Sequence, residues 1–268
     1  MRVALCQIPV SSQPPVNLDR VRAALKEAAA QRADLAVFPE ATQIRFGRDP
    51  RPVAAPPDGP FGAGLAEAAA DNGIAVVAGI FEPGPDGRVY NTAVAFDGSG
   101  SLVASYRKLH LFDALGQRES DLIAPGAEAV TARLAGLHAG FQTCYDLRFP
   151  EHSRLLAAHG AELIVVPAAW GAGLFKEEHW VTLARARAIE NTIWVAAADQ
   201  VPDPAEPPTS APTGVGRSLL VDPTGTVRLD LGPYPCVAAA DIDTDLTVRV
   251  RAALPCLQHR RPDVFGPC

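Results

Sequence analysis

RVALCQIPVSSQPPVNLDRVRAALKEAAAQRADLAVF, residues 2–38, decides the class of fold. Val3, Leu5 and Ile8 lie in a short apolar run over residues 2–8. Residues 18–33 carry alanines and leucines at helical spacing behind Asn17, a good N-cap, and Leu35, Ala36, Val37 and Phe38 form a second apolar run that stops at Pro39. Strand, helix and strand in that order make a β-α-β unit.

The same alternation continues outward. Residues 61–72 predict a helix closed by Gly73, followed by a strand over 74–81 rich in β-branched residues. Strands at 89–96 and 102–106 flank Asp97-Gly98-Ser99-Gly100, a hairpin signal, so the sheet is expected to be mixed. After a polar loop at 108–126 come strands near 129–134 and 137–143, a helix near 150–159, a strand at 163–166 and a helix at 176–191. A strand at 193–198, a proline-rich loop at 201–212 and strands near 216–221, 226–231 and 236–242 complete the reading. Strands interleaved with helices, and no linker, predict one α/β layered domain over residues 1–268.

Composition agrees with this and narrows the function. The chain has 268 residues, 48% of them apolar, and a net charge of −6. A core of that size needs neither disulfides nor a structural metal. Without a basic block, nucleic acid and anionic membranes are poor partners, because both require clustered Lys and Arg to displace counterions. No apolar run approaches a bilayer span, and the first ten residues read as a strand rather than a signal peptide. Five scattered cysteines with no C-x-x-C pair fit a reducing compartment, so the expectation is a cytoplasmic protein acting on a small molecule. No P-loop, G-x-G-x-x-G or H-E-x-x-H is present, and no cofactor is expected. Cys256-x-x-His259 with Cys268 is too small a donor set for zinc, so no metal is expected either.

Three reactive side chains each follow an apolar strand: Glu40, Lys108 and Cys144. Strand ends are where groups distant in sequence converge in α/β sheets. Taken singly, Cys144 also fits a buried small hydrophobe, and Glu40 and Lys108 a solvated pair on a loop.

The words around these residues extend the reading. Phe38-Pro39-Glu40, Tyr106-Arg107-Lys108-Leu109-His110-Leu111-Phe112-Asp113 and Cys144-Tyr145-Asp146-Leu147-Arg148-Phe149-Pro150-Glu151 resemble, in order, the three signature segments of the carbon–nitrogen hydrolase (nitrilase) superfamily. The resemblance implies a four-layer α-β-β-α sandwich completed by dimerisation, hence a homodimer or larger homo-oligomer. It also implies a Glu-Lys-Cys set without cofactor: Cys144 as an accessible nucleophile, Glu40 as general base, and Lys108 as the cation that stabilises the tetrahedral intermediate. The backbone N–H of Tyr145 would be a second oxyanion donor and Glu119 a supporting acid, while His110, His152 and His179 would be structural or solvent-facing.

Cys-Tyr-Asp-Leu-Arg-Phe-Pro-Glu and Arg260-Arg261-Pro262-Asp263 look most like the Nit branch, whose members hydrolyse ω-amides of dicarboxylic 2-oxo acids and deaminated glutathione. An N-carbamoyl amino acid hydrolase, a nitrilase and a catalytically silent scaffold of the same fold are the alternatives. Residues 41–46 and the loop 201–212 depart from the pattern of the Nit relatives. Arg148, four residues past Cys144, is expected either to bind a substrate carboxylate or to pair with Asp146 or Glu151.

Overall fold

In the computed structural model, which describes residues 1–266, the chain builds two sheets. The first contains β1 (Arg2–Gln7), β2 (Leu35–Val37), β3 (Ala75–Pro83), β4 (Val89–Phe96), β5 (Leu102–Arg107) and β6 (Ile123–Ala124). The second contains β7 (Thr131–Leu134), β8 (Leu137–Phe141), β9 (Leu163–Ala168), β10 (Trp194–Asp199), β11 (Leu219–Val221) and β12 (Val227–Asp230); β13 (Cys236–Asp241) then returns to the first. The strand orders are β13-β1-β2-β3-β4-β5, with β6 beside β4, and β12-β11-β10-β9-β8-β7. β1, β2 and β3 are parallel, as are β8, β9 and β10, and antiparallel strands flank both trios, so both sheets are mixed.

The alternation of β1 shows how the layers form. Val3 and Leu5 face the second sheet, where they meet residues such as Phe141, Val165 and Trp194. Ala4 and Cys6 face outward and are covered by the helices α1 (Pro14–Ala30) and α2 (Pro60–Asn72). α1 presents Val21, Ala24, Leu25 and Ala28, one face of a 3.6-residue period. On the far side α3 (Pro150–Ala158) and α4 (Lys176–Asn191) cover the outer face of β9 and β10 through Leu156, Trp180, Ala184 and Ala188. Strands covered on both faces read as continuous apolar runs, which is the pattern in the sequence. The four layers are those expected, but all belong to one chain. No second copy is needed to complete the sandwich, a correction to the reading in which dimerisation supplies it.

Several boundaries also shift. Asn17 is not the N-cap of α1: Gln13 is, and Pro14 and Pro15 open the helix. The Asn17 side chain instead ties the loop before α1 to the loop after β2, accepting from the Ser11 N–H and donating to the carbonyls of Ser11 and Gln43. The loop at 108–126 contains β6, too short to carry a periodic signal. Two helices beyond the last predicted strand, α5 (Thr244–Ala253) and α6 (Pro262–Phe265), were not expected. Among the described residues no helix is long and apolar enough to cross a membrane.

One glycine couples the sheet to the loop that carries Glu40. A Cβ built on Gly79 of β3 would lie 2.3 Å from the Ala41 backbone nitrogen and 2.9 Å from the Glu40 Cα. Ala41 itself has φ 53°, a left-handed turn packed directly on that bare backbone. Gly79→Ala therefore forces the Glu40 turn off the sheet. Urea unfolding should show a loss of about 1–3 kcal/mol, and an unchanged midpoint would show that the turn tolerates the methyl group.

Candidate active site

The side chains of Glu40, Lys108 and Cys144 come from both sheets and meet at one end of the sandwich. Glu40 follows β2 through Pro39, Lys108 follows β5, and Cys144 follows β8 through Gln142 and Thr143. All three line one cavity of about 540 Å³.

Glu40 is 1% exposed and Lys108 2%. Lys108 Nζ lies 2.8 Å from Glu40 Oε1 and 2.8 Å from Glu119 Oε2. Further donors reach both carboxylates, with a single one on Glu40 Oε2. Asn91 Nδ2 donates to Glu40 Oε1 at 2.7 Å and to Glu119 Oε1 at 3.1 Å, the Ala169 N–H donates to Glu40 Oε2 at 2.9 Å, and the Phe112 N–H to Glu119 Oε2 at 2.7 Å. With a donor on every oxygen, charges can sit in a low-dielectric interior where an unpaired ion would be neutralised.

The electrostatics follow from burial and proximity. Burial opposes the Lys108 ammonium, but the Glu119 and Glu40 carboxylates outweigh it and hold Lys108 well above its ordinary value. Burial raises the Glu40 carboxyl; Lys108 pulls against the shift and Glu119 adds to it. The Cys144 thiol is likewise pushed up, by burial and by Glu40, with Lys108 opposing. At rest, then, the sulfur holds its proton beside a carboxylate of raised proton affinity.

Cys144 is 8% exposed, so it is reached through the cavity and is not the openly accessible thiol expected from the sequence. Its φ is 47°, a left-handed conformation rare for a side chain with a Cβ, and it opens the helical turn Cys144–Arg148. Asp146 fixes that turn: its Oδ2 accepts from the Thr143 N–H at 2.8 Å, and the Asp146 N–H donates to the Thr143 carbonyl. Among the described residues nothing accepts from the backbone N–H of Tyr145, second in the turn.

Two histidines lie behind the Cys144 turn. His110 gives both its backbone N–H and its Nδ1 to Asp146 Oδ1, and Tyr106 Oη donates to Oδ2. His152 is buried, and burial lowers its basicity. His110, Asp146 and His152 lie close enough to suggest a metal centre. With all four Asp146 lone pairs hydrogen-bonded, the trio has no carboxylate left to ligate one. Cys256 is exposed, and Cys268 lies outside the described residues.

Arg148 does not line the cavity. Its guanidinium lies 4.8 Å from the Trp170 ring centre and 3.4 Å from His179 Nδ1, and it pairs with neither Asp146 nor Glu151. The expected local ion pair is therefore replaced by stacking on the Trp170 ring. Arg187 of α4 points inward and donates to the Leu147 carbonyl, pinning the helix to the Cys144 turn.

Sequence reading missed Asn91, Lys176 and the wall of the cavity. Asn91 interrupts the apolar strand β4, and a polar residue in a strand with both faces covered is the signal that could have found it. The wall joins the two segments that depart from the Nit pattern. Glu206 accepts from Ser11 Oγ and from the N–H and Oγ of Ser12 and pairs with Arg45, while Gly47 packs on Thr209.

Residues 2–252 match the family model described as carbon-nitrogen hydrolase. Hydrolase Rv0480c of Mycobacterium tuberculosis is 44% identical over 97% of this chain and 95% of its own length. Omega-amidase NIT2 of Mus musculus is 32% identical over 98% of this chain and 96% of its own. Among solved structures, a Glu-to-Gln variant of the amidase from Nesterenkonia sp. AN1, with acrylamide added at its active-site cysteine, superposes with a TM-score of 0.84 at 29% identity, covering 99% of this chain and 98% of that one.

The wall has a pH signature. The Ser12 N–H first, with the Ser11 and Ser12 hydroxyls and Arg45, holds Glu206 down to about 2 from an ordinary 4.5. A depressed carboxyl contributes stability that is fully present above the unfolded value and is lost as pH falls from 4.5 toward 2. The gap in urea midpoint between the wild type and Glu206→Gln should thus be widest near pH ~7 and shrink at pH ~3.5. An equal gap at both would assign the linkage to another group.

Proposed function

We propose that this chain, which belongs to the carbon–nitrogen hydrolase family and acts on carbon–nitrogen bonds, is an amidase that converts a small carboxylate-bearing amide to acid and ammonia through a thioester on Cys144. The observation that carries the proposal is the buried Glu40–Lys108–Glu119 ion cluster opening onto the same cavity as Cys144. An ion cluster at the end of a sandwich has no structural need of a thiol beside it, whereas acyl transfer needs a nucleophile, a base and an oxyanion site together.

The chemistry follows from the positions. Glu40 takes the thiol proton as sulfur attacks the amide carbon, and the developing oxyanion is met by Lys108 Nζ and the Tyr145 N–H. Glu40 returns the proton to the departing nitrogen, the C–N bond breaks, and ammonia leaves. A water that loses its proton to Glu40 attacks the thioester; sulfur departs and is reprotonated, releasing the carboxylic acid. Glu40 thus gives and takes protons in both halves of the reaction, which suits a carboxyl whose affinity for protons is raised by burial. Glu119 and Asn91 hold Lys108 and Glu40 in place. The amide class is supported by the mouse ω-amidase and the Nesterenkonia amidase among its relatives. The carboxylate is supported by the lining itself, where Arg45, Arg48, Arg51, Lys108, Arg118 and Lys176 outnumber Glu40, Asp49 and Glu119.

Ammonia release from a panel of ω-amides, N-carbamoyl acids and nitriles tests the substrate class, and ω-amides should be turned over fastest. Cys144→Ala should abolish turnover and leave the fold intact, whereas Cys6→Ala, at a thiol sealed beneath α1 and α2, should not reduce kcat. Glu40→Gln and Lys108→Met should each lower kcat by at least ~10²-fold, and either combined with Cys144→Ala should add almost nothing. Residual turnover above a few per cent in Cys144→Ala would remove the thioester from the mechanism.

A further inference from the structure

Lys176 is the first residue of α4 and only 6% exposed, yet its side chain lines the cavity. Its Nζ lies 4.6 Å from the Trp170 ring centre and 4.9 Å from that of Phe112, held between two aromatic faces. The backbone is fixed as well, since Trp170 Nε1 donates to the Lys176 carbonyl at 2.8 Å.

Every other cation on the cavity wall has an acidic neighbour. Lys108 has Glu40 and Glu119, Arg45 and Arg48 share Glu206, Arg51 has Asp49, and Arg118 has Asp121. Among the described residues no carboxylate pairs with Lys176. Asp199, a buried acid that favours its charge, has its oxygens occupied by the N–H groups of Trp170 and Val215. The placement is unfavourable in three further ways. A cation at the first turn of a helix opposes the helix dipole, burial works against its charge, and the Arg148 guanidinium stacked on the same tryptophan repels it. A buried, immobilised and uncompensated ammonium facing a ligand cavity is a site that lacks its counter-ion.

We propose that Lys176 is the anion subsite of the cavity, binding the carboxylate that the substrate carries away from its scissile amide. This rests on the amidase reading above and makes it specific. The lysine acts as a point charge whose direction is set by the Phe112 and Trp170 rings, so it selects for charge at one end of a short acyl chain while Cys144 attacks the other. Because the same rings exclude water, the charge pair forms in a poorly screened environment and discriminates strongly against a neutral chain.

The test compares succinamate with butyramide, which has the same chain length and a methyl group in place of the carboxylate. The wild type should prefer succinamate by ~30-fold or more in kcat/KM, the order of one charge-assisted contact. Lys176→Met should reduce that preference at least ~10-fold, chiefly through KM for succinamate, while Lys176→Arg should hold it within ~3-fold. Lys176→Gln, which keeps chain length and polarity, carries the same comparison if Lys176→Met fails to fold by thermal denaturation. A wild-type preference that persists in Lys176→Met or Lys176→Gln would overturn the subsite and leave the carboxylate reading standing. Equal losses on both substrates in Lys176→Met and Lys176→Arg would also overturn it, making the residue a pillar between two rings. A wild type indifferent to the carboxylate would overturn the carboxylate reading and the subsite with it, without touching the role of Cys144.

Discussion

The arrangement of the site depends on one ammonium group. Lys108 is buried between two carboxylates, so a single buried cation is shared by Glu40 and Glu119. Such a cluster survives in a protein interior only when each oxygen finds a donor. That requirement accounts for Asn91, whose amide spans both acids, and for the backbone N–H groups of Ala169 and Phe112, brought in from opposite sheets. Removing any one donor leaves a desolvated charge short of a partner, so the cluster holds the neighbouring loops in register as well as tuning the sulfur beside it.

The sandwich supplies the rigidity this needs. The core between the sheets is built from opposed apolar faces, with Val3, Leu5 and Val77 on one side and Phe141, Val165 and Ala196 on the other. Glu40 leaves β2, Lys108 leaves β5 and Cys144 leaves β8, so their relative positions are set by how the two sheets pack. Local devices then turn each side chain inward: the Gly79 backbone that admits the Ala41 turn, the left-handed Cys144, and the Asp146 carboxylate buried under Tyr106 and His110. The inner end of the cavity is made of sheet and helix termini, whereas its outer wall is made of loops clasped by Glu206.

Much of this was legible in the residues. The β-α-β alternation follows from the 3.6 and 2 periodicities, and residues 89–96 and 176–191 fold with the boundaries their spacing predicts. Glu40, Lys108 and Cys144 could be singled out because each follows a run that has to be a strand. The hairpin at Asp97 was marked by its glycines, and the Asp97 carboxylate accepting from the N–H groups of Ser99 and Ser101 shows why that chemistry turns. Asn17 was misread because capping preference is local, while the Ser11 and Gln43 carbonyls it serves are brought to it by other loops.

What the sequence determined by itself is the order of elements, the reactive side chains at the strand ends and the family they resemble, since all of these depend on short-range spacing. Tertiary structure alone decided that the four layers lie within one chain, that Asn91 joins Glu40 to Glu119, and that Arg148 stacks on Trp170 outside the cavity while Lys176 enters it. The physical reason is that electrostatic partnership depends on distance in space. Glu40 and Lys108 are 68 residues apart in the chain and 2.8 Å apart in the fold, and only the packing of strands turns the first separation into the second.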